Sequence, residues 1–226
     1  MSLMPHGGVL VDRMVRGDAV SEKQARARSL PRVALRDREL SDLYLIAIGA
    51  LSPLEGFMGE ADYRSVVDRM TLTNGLPWAV PITAPVSLEQ AESLKIGAEV
   101  ALTDEEGNLV GLMTVTEKFT PDKALEAKNV YRTDDAAHPG VAKVLESGSV
   151  YLAGPIEYFE GTRPLEFPEH NLTPAQTRKV FEERGWKMIC AFQTRNPIHR
   201  AHEYLLRCAL EIVDGLLVHP LVGETK

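Results

Sequence analysis

The sequence predicts an α/β protein with mixed β structure ahead of it: a small mixed barrel, then the opening of a parallel α/β domain. Three observations lead there. Over roughly the first 160 residues, short strands with turn signals are interspersed with a few helices. From Thr173 the pattern changes to helix, apolar strand, loop, helix, apolar strand, which contains a βαβ unit. The loop of that unit, "QTRNPIHRAH" (Gln193 to His202), gathers two arginines, two histidines and two amides in a chain of net charge −7.

The first region reads as follows. "DRELSDLYLIAIGA" places Leu40, Leu43, Tyr44, Ala47 and Ile48 on one helical face and stops at Gly49. "SPLE" (Ser52 to Glu55) has the capping-box spacing with Pro53 at the first helical position, which predicts a helix start. In the next amphipathic run Tyr63, Val66, Val67 and Met70 are expected inward. Asn74-Gly75 is a hairpin-type turn, and "WAVPITAPV" is a proline-interrupted extended segment. "AEVALTDEEGNLVGLMTVTEKF" reads as two alternating strands joined by the polar turn Glu105-Glu106-Gly107-Asn108, and "SVYLAGPI" as another strand.

In the second region "TPAQ" (Thr173 to Gln176) is a further capping box, opening a helix that ends at Gly185. "WKMICAF" (Trp186 to Phe192) is apolar nearly throughout, as a strand buried on both faces should be. After the loop, Tyr204, Leu205, Ala209, Leu210 and Val213 form a helical stripe, and "GLLVHPLVG" is a second apolar strand. Two such strands are too few for a complete parallel sheet, so the chain is expected to be truncated within this domain. The predicted boundaries are 1–165 and 166–226.

At 226 residues, 44% of them hydrophobic and 25% charged, the composition is that of a globular protein with ample core. The acidic balance argues against nonspecific nucleic-acid or anionic-membrane binding. No apolar run is long enough to span a bilayer, and the N-terminus lacks a signal peptide's apolar region. Cys190 and Cys208, both in apolar patterns, are expected as buried free thiols. Together these predict a cytoplasmic protein.

The loop's chemistry follows from its place. Ligands of open α/β sheets bind at the carboxyl ends of strands, beside the N-termini of the following helices. Asn196-Pro197 is a good cap and first-residue pair, so the helix is expected to start there, with His199 in its first turn and His202 on the same face. Free backbone N–H groups make such a start an anion site. Arg195 adds a fork suited to a tetrahedral oxyanion, and Gln193 a neutral donor. Arg200 lies off the histidine face and reads as a salt-bridge or packing residue. Two histidines without a third ligand at recognisable spacing do not predict a metal site. His219, before Pro220, could be a strand-end residue or line the pocket, and Gly223 could mark a turn near a nucleotide or be an ordinary loop glycine. His6, His138 and His170 read as surface residues.

His-x-x-His at a helix start after a strand is the spacing of the nucleotidylyltransferase signature. The whole string resembles the motif of ATP sulfurylase (sulfate adenylyltransferase). "IAIGALSPLEGFM" resembles that family's N-terminal block, and "GWKMICAFQTRNPIHRAHEYL" and "HPLVGETK" resemble the opening of its catalytic domain. The resemblance implies a PUA-like N-terminal domain followed by an HxxH nucleotidylyltransferase-type domain. It implies that ATP and sulfate give adenosine 5′-phosphosulfate and pyrophosphate, with Mg2+ accompanying ATP, in a homo-oligomer. On this resemblance Gln193 and Arg195 hold sulfate, Thr194 and Asn196 shape the loop, and His199 and His202 stabilise charge on the phosphates. A further glycine- and arginine-containing loop of the family has no counterpart here, nor is there a kinase-type phosphate loop. The alternatives are another HxxH nucleotidylyltransferase, or a non-catalytic PUA-like RNA-binding module.

Overall fold

The computed structural model describes residues 4–163 and 167–221. The chain divides into two compact units, one over Pro5–Asn171 and the other from Leu172 onward.

The first unit runs β1 (Met14–Val15), α1 (Asp18–Ala27), β2 (Arg32–Ala34), α2 (Asp37–Ala47), β3 (Gly56–Phe57), α3 (Glu60–Arg69), β4 (Ala84–Val86) and α4 (Leu88–Ser93). It continues through β5 (Glu99–Thr103), β6 (Leu109–Thr114), β7 (Glu117–Phe119), α5 (Lys123–Val130), α6 (Pro139–Glu146) and β8 (Val150–Phe159). These strands form one mixed sheet wound on β8, which pairs parallel with β1 and antiparallel with β3, β4, β6 and β7. Strand β8 can serve so many partners because it lets other backbones come close. A Cβ on Gly154 would lie 1.8 Å from the Thr114 carbonyl oxygen, and one on Gly56 would lie 1.8 Å from that of Gly154.

The β5–β6 hairpin turns where the sequence predicts. The Asp104 carboxylate accepts from Asn108 N at 2.7 Å and from Asn108 Nδ2 at 2.8 Å, with Gly107 at φ 86°. The expected alternation fails, since both strands are buried on both faces with apolar clusters on either side, and the end of the same stretch forms a third strand, β7. Val100, Leu102 and Met113 join the main core, while Ala101 and Leu112 pack with Ala27 and Phe159.

Two further expectations for this unit fail. Ser52–Glu55 forms no helix: Ser52 Oγ donates to the Gly49 carbonyl at 2.7 Å and accepts from Val11 N at 2.9 Å. The hydroxyl is thereby taken by the chain behind it, the Ser52–Pro53 peptide is cis, and β3 begins at Gly56. Met70 is not inward: it caps α3 in the left-handed conformation, φ 55°, with 46% of its surface exposed.

The second unit runs α7 (Pro174–Glu183), β9 (Ile189–Thr194), α8 (Arg200–Leu210) and β10 (Gly215–Pro220). The predicted capping box opens α7: Thr173 Oγ1 accepts from Gln176 N at 3.3 Å, and Gln176 Oε1 from Thr173 N at 2.8 Å. Gly185, at φ 69°, follows its end. Strands β9 and β10 are parallel, from Ile189 opposite Gly215 to Thr194 opposite Pro220.

Trp186 to Met188 precede the strand instead of opening it. The Asp214 carboxylate accepts from Lys187 N at 2.7 Å and Met188 N at 2.8 Å, so these amides are held by a side chain and not by a ladder. These donors hold the Asp214 carboxyl below the usual carboxylate range. The Trp186 ring lies against Gly215, where a Cβ would come within 2.3 Å of it.

The expected burial of this unit also fails. Among its described residues only Gly215 is buried, and Tyr204, Leu205 and Leu210 are 67%, 58% and 49% exposed. Two strands and two helices do not cover both faces of a parallel sheet. For the same reason Cys208 is exposed and Cys190 only half-buried, though both are free thiols as expected. Among the described residues, no helix is long and apolar enough to cross a membrane.

Candidate active site

The carboxyl ends of β9 and β10 carry the residues singled out by the sequence. Thr194 is half-buried and closes a tight turn: its Oγ1 accepts from Asn196 N at 3.0 Å and donates to the Asn196 carbonyl at 2.9 Å. Leu221 N donates to the Thr194 carbonyl at 2.8 Å, which holds the chain after β10 against the end of β9. Gln193, Arg195 and Asn196 are exposed, and Arg195 forms no ion pair among the described residues. Its guanidinium is thus open to an anion.

The helix start differs from expectation. α8 begins at Arg200 with His199 as its cap, not at Asn196-Pro197. Asn196 has both backbone groups committed to the Thr194 turn, so it cannot open the helix. His199 takes over: its Nδ1 accepts from Ala201 N at 3.3 Å, and its carbonyl accepts from Glu203 N at 3.0 Å. An accepting Nδ1 places the proton of a neutral ring on Nε2, leaving a donor there for a ligand.

His202 lies one turn on, half-buried, with its ring centroid 4.0 Å from that of His199 and 5.4 Å from that of Phe192. Its Nδ1 is buried and, among the described residues, has no hydrogen-bond partner. An orphaned polar atom at a helix start is a place where a ligand group or water belongs. Two imidazoles this close, beside the free N–H groups of a helix terminus, form a site for negative charge.

Gln193 and His219 face each other across the ladder, with Nε2 and Nδ1 3.5 Å apart. Gly223 lies outside the described residues. Arg200 is exposed and forms no ion pair among the described residues, so its expected salt bridge is not found. The pair in this helix is Arg207 with Glu203, at 2.8 Å. Glu203 is thus engaged, and Asp214 lies at the other end of the two strands, holding the amides that precede β9. Among the described residues, no three His, Cys, Asp or Glu side chains gather as a metal ion needs. His6, His138 and His170 are exposed, and His138 caps α6 through Nδ1, 3.2 Å from Gly140 N.

Sequence reasoning missed a buried polar cluster in the first unit. Glu126 Oε2 accepts from Tyr63 Oη at 2.9 Å and Tyr151 Oη at 3.3 Å. Burial raises the Glu126 pKa against the opposing effect of both hydroxyls and of Arg38. Beside it a cavity of about 400 Å³ is lined by Tyr63, Arg64, Phe119, Asp122 and Lys123. No local pattern announces this cluster, since Tyr63 and Glu126 are 63 residues apart.

Comparison with known proteins agrees with the division of the chain. A family model described as PUA-like domain matches residues 3–161, and one described as ATP-sulfurylase matches residues 168–226. The chain is 54% identical over 225 residues to a sulfate adenylyltransferase of Synechococcus sp. (strain JA-3-3Ab), covering 100% of this chain and 57% of the relative. It is 56% identical over 224 residues to one of Symbiobacterium thermophilum, covering 99% and 57% respectively. A probable bifunctional SAT/APS kinase 2 of Sorangium cellulosum is 50% identical over 224 residues, which are 99% of this chain and 39% of that protein. Among solved structures, a hexameric APS kinase from Thiobacillus denitrificans superposes with a TM-score of 0.74 at 29% identity, covering 98% of this chain and 40% of that one. The chain thus spans a little over half the length of the sulfate adenylyltransferases it matches.

Proposed function

This chain belongs to the ATP-sulfurylase family, a PUA-like domain preceding its sulfurylase domain, and on that premise we propose that the whole protein is a sulfate adenylyltransferase. It transfers AMP from ATP to sulfate, giving adenosine 5′-phosphosulfate and pyrophosphate, reversibly. A sulfate oxygen bonds to the α-phosphorus as the bond from that phosphorus to the bridging oxygen breaks, and pyrophosphate leaves with the electron pair. The domain that begins in the second unit is of the HxxH nucleotidylyltransferase type, in a cytoplasmic homo-oligomer.

Sulfate is a dianion at neutral pH, so its attack requires no proton removal. That agrees with a site whose helix carboxylate, Glu203, is paired with Arg207. The obstacle is bringing anions together: two unit charges ~4 Å apart repel by about 4 kcal/mol at an effective dielectric of 20. Catalysis therefore lies in preorganised positive groups and in-line positioning. Arg195 and Gln193 hold sulfate, and Thr194 and Asn196 set the loop's shape. His199 Nε2 and His202 stabilise charge developing on the phosphates. Magnesium arrives with ATP as the counter-ion of its phosphates. The described residues offer no cage of their own for it.

The observation that carries this reading is the pair His199 and His202, ring centroids 4.0 Å apart at the start of α8, in the loop that also carries the exposed Arg195. The test is sulfate-dependent release of pyrophosphate from ATP by the full-length protein, run beside an RNA-binding titration across salt concentrations. Turnover that requires sulfate, without salt-steep RNA binding, is expected. Absence of sulfate-dependent release would overturn the proposal.

A further inference from the structure

We propose that His219 is a positioning residue for the sulfate site, orienting the Gln193 amide; this rests on the adenylyltransferase reading above. A glutamine amide presents an attractive NH2 end and a repulsive carbonyl oxygen to an anion, and an exposed one rotates freely between them. Something must select the end that sulfate meets. In the parallel ladder His219 is directly opposite Gln193, which puts both side chains on the same face of the sheet.

His219 Nδ1 lies 3.5 Å from Gln193 Nε2, so one amide N–H donates to the ring and the second is left for the anion. The ring is itself held in place. Pro220 restricts the backbone of His219 to extended conformations. Leu221, just beyond, donates to the Thr194 carbonyl at 2.8 Å and ties the end of β10 to the motif loop.

The test compares three variants in the full-length protein: His219→Ala, His219→Asn and His219→Gln. An asparagine amide places a polar atom where Nδ1 is, whereas a glutamine amide reaches the position of Nε2. His219→Ala and His219→Gln are expected to raise the KM for sulfate about fivefold, the loss of one hydrogen bond. His219→Asn should restore it to within about twofold of the parent, with kcat and the KM for ATP little changed in all three. Adding His219→Ala to Gln193→Ala should raise the sulfate KM no further, because one residue acts through the other.

An unchanged sulfate KM in His219→Ala, equal values for the asparagine and glutamine variants, or additive effects in the double variant would each overturn the inference. Because asparagine and glutamine both fill the site, their comparison decides even if the alanine variant is unstable. A parent without sulfate-dependent turnover overturns the adenylyltransferase reading itself, an outcome distinct from an active parent indifferent to His219.

Discussion

Arg195 supplies the full positive charge of the Gln193–Asn196 loop, and it stands open. Its removal should therefore act on the reaction and leave the fold unchanged. Arg195→Ala in the full-length protein is expected to lose about 3 kcal/mol of transition-state stabilisation, on the order of a hundredfold in kcat/KM. Steady-state rates with an unchanged melting temperature would check it; turnover within about threefold of the parent would take Arg195 out of the site.

Asp42 offers a second test at this scale. Burial raises its pKa from 3.8 to about 6, opposed by the charge of Arg38 and helped by that of Glu39. Between those values the folded chain keeps a proton that the unfolded chain has lost, so this group's contribution to stability falls as pH rises through that window. Asp42→Asn mimics the protonated acid, and should raise the melting temperature above about pH 6 while changing it little near pH 4. A gain that is equal at both pH values would refute this. The two residues differ in how readable they are. Arg195 belongs to a contiguous motif, whereas Asp42 and the Tyr63–Glu126–Tyr151 cluster depend on burial created by segments distant in the chain.

Identical local patterns had different outcomes in different elements. "TPAQ" and "SPLE" share the capping spacing, yet only the first starts a helix. Thr173 is free to cap Gln176, while Ser52 is already bonded to Gly49 and Val11. Asn196-Pro197 failed in the same way, because the Thr194 hydroxyl holds the Asn196 backbone. A sequence pattern shows that a cap is available, and tertiary contacts decide whether it is used.

Two expectations belong to these caps. Thr173→Ala should cost α7 about 1 kcal/mol, read as faster hydrogen exchange at the Gln176 amide. His199→Asn should preserve the start of α8, since asparagine caps well, while lowering kcat more than it raises the sulfate KM. Circular dichroism and steady-state kinetics on one preparation separate the two effects. A large loss of helix, or a change confined to the sulfate KM, would show that His199 serves the fold or the sulfate pocket and not the phosphates.

Across the whole chain, burial is lopsided. Among the described residues, every side chain of the buried apolar core lies between Val11 and Phe159, and after Asn171 only Gly215 is buried. The order of elements in the second unit was legible because helix and strand periodicities are local. Its burial was not, because an apolar run shows what a strand could bury against and not whether that cover is present. Among the described residues β9 and β10 make only one another's ladder, and the apolar side of α8 leaves Tyr204 and Leu205 largely exposed. Local stability follows buried apolar area, so the two units should open separately.

In the 226-residue chain, amides of the β9–β10 ladder should therefore exchange through local opening, orders of magnitude faster than those of β8. Denaturation followed by near-ultraviolet signals of the first unit should still be cooperative. Hydrogen exchange resolved by residue, at several low denaturant concentrations, distinguishes the cases. If the amides of Leu217 and Val218 slowed to the rate of those in β8 and shared its denaturant dependence, the second unit would be opening only with the whole molecule. The exposed face of α8 would then have to be covered in solution, and local stability would not follow buried apolar area in this chain.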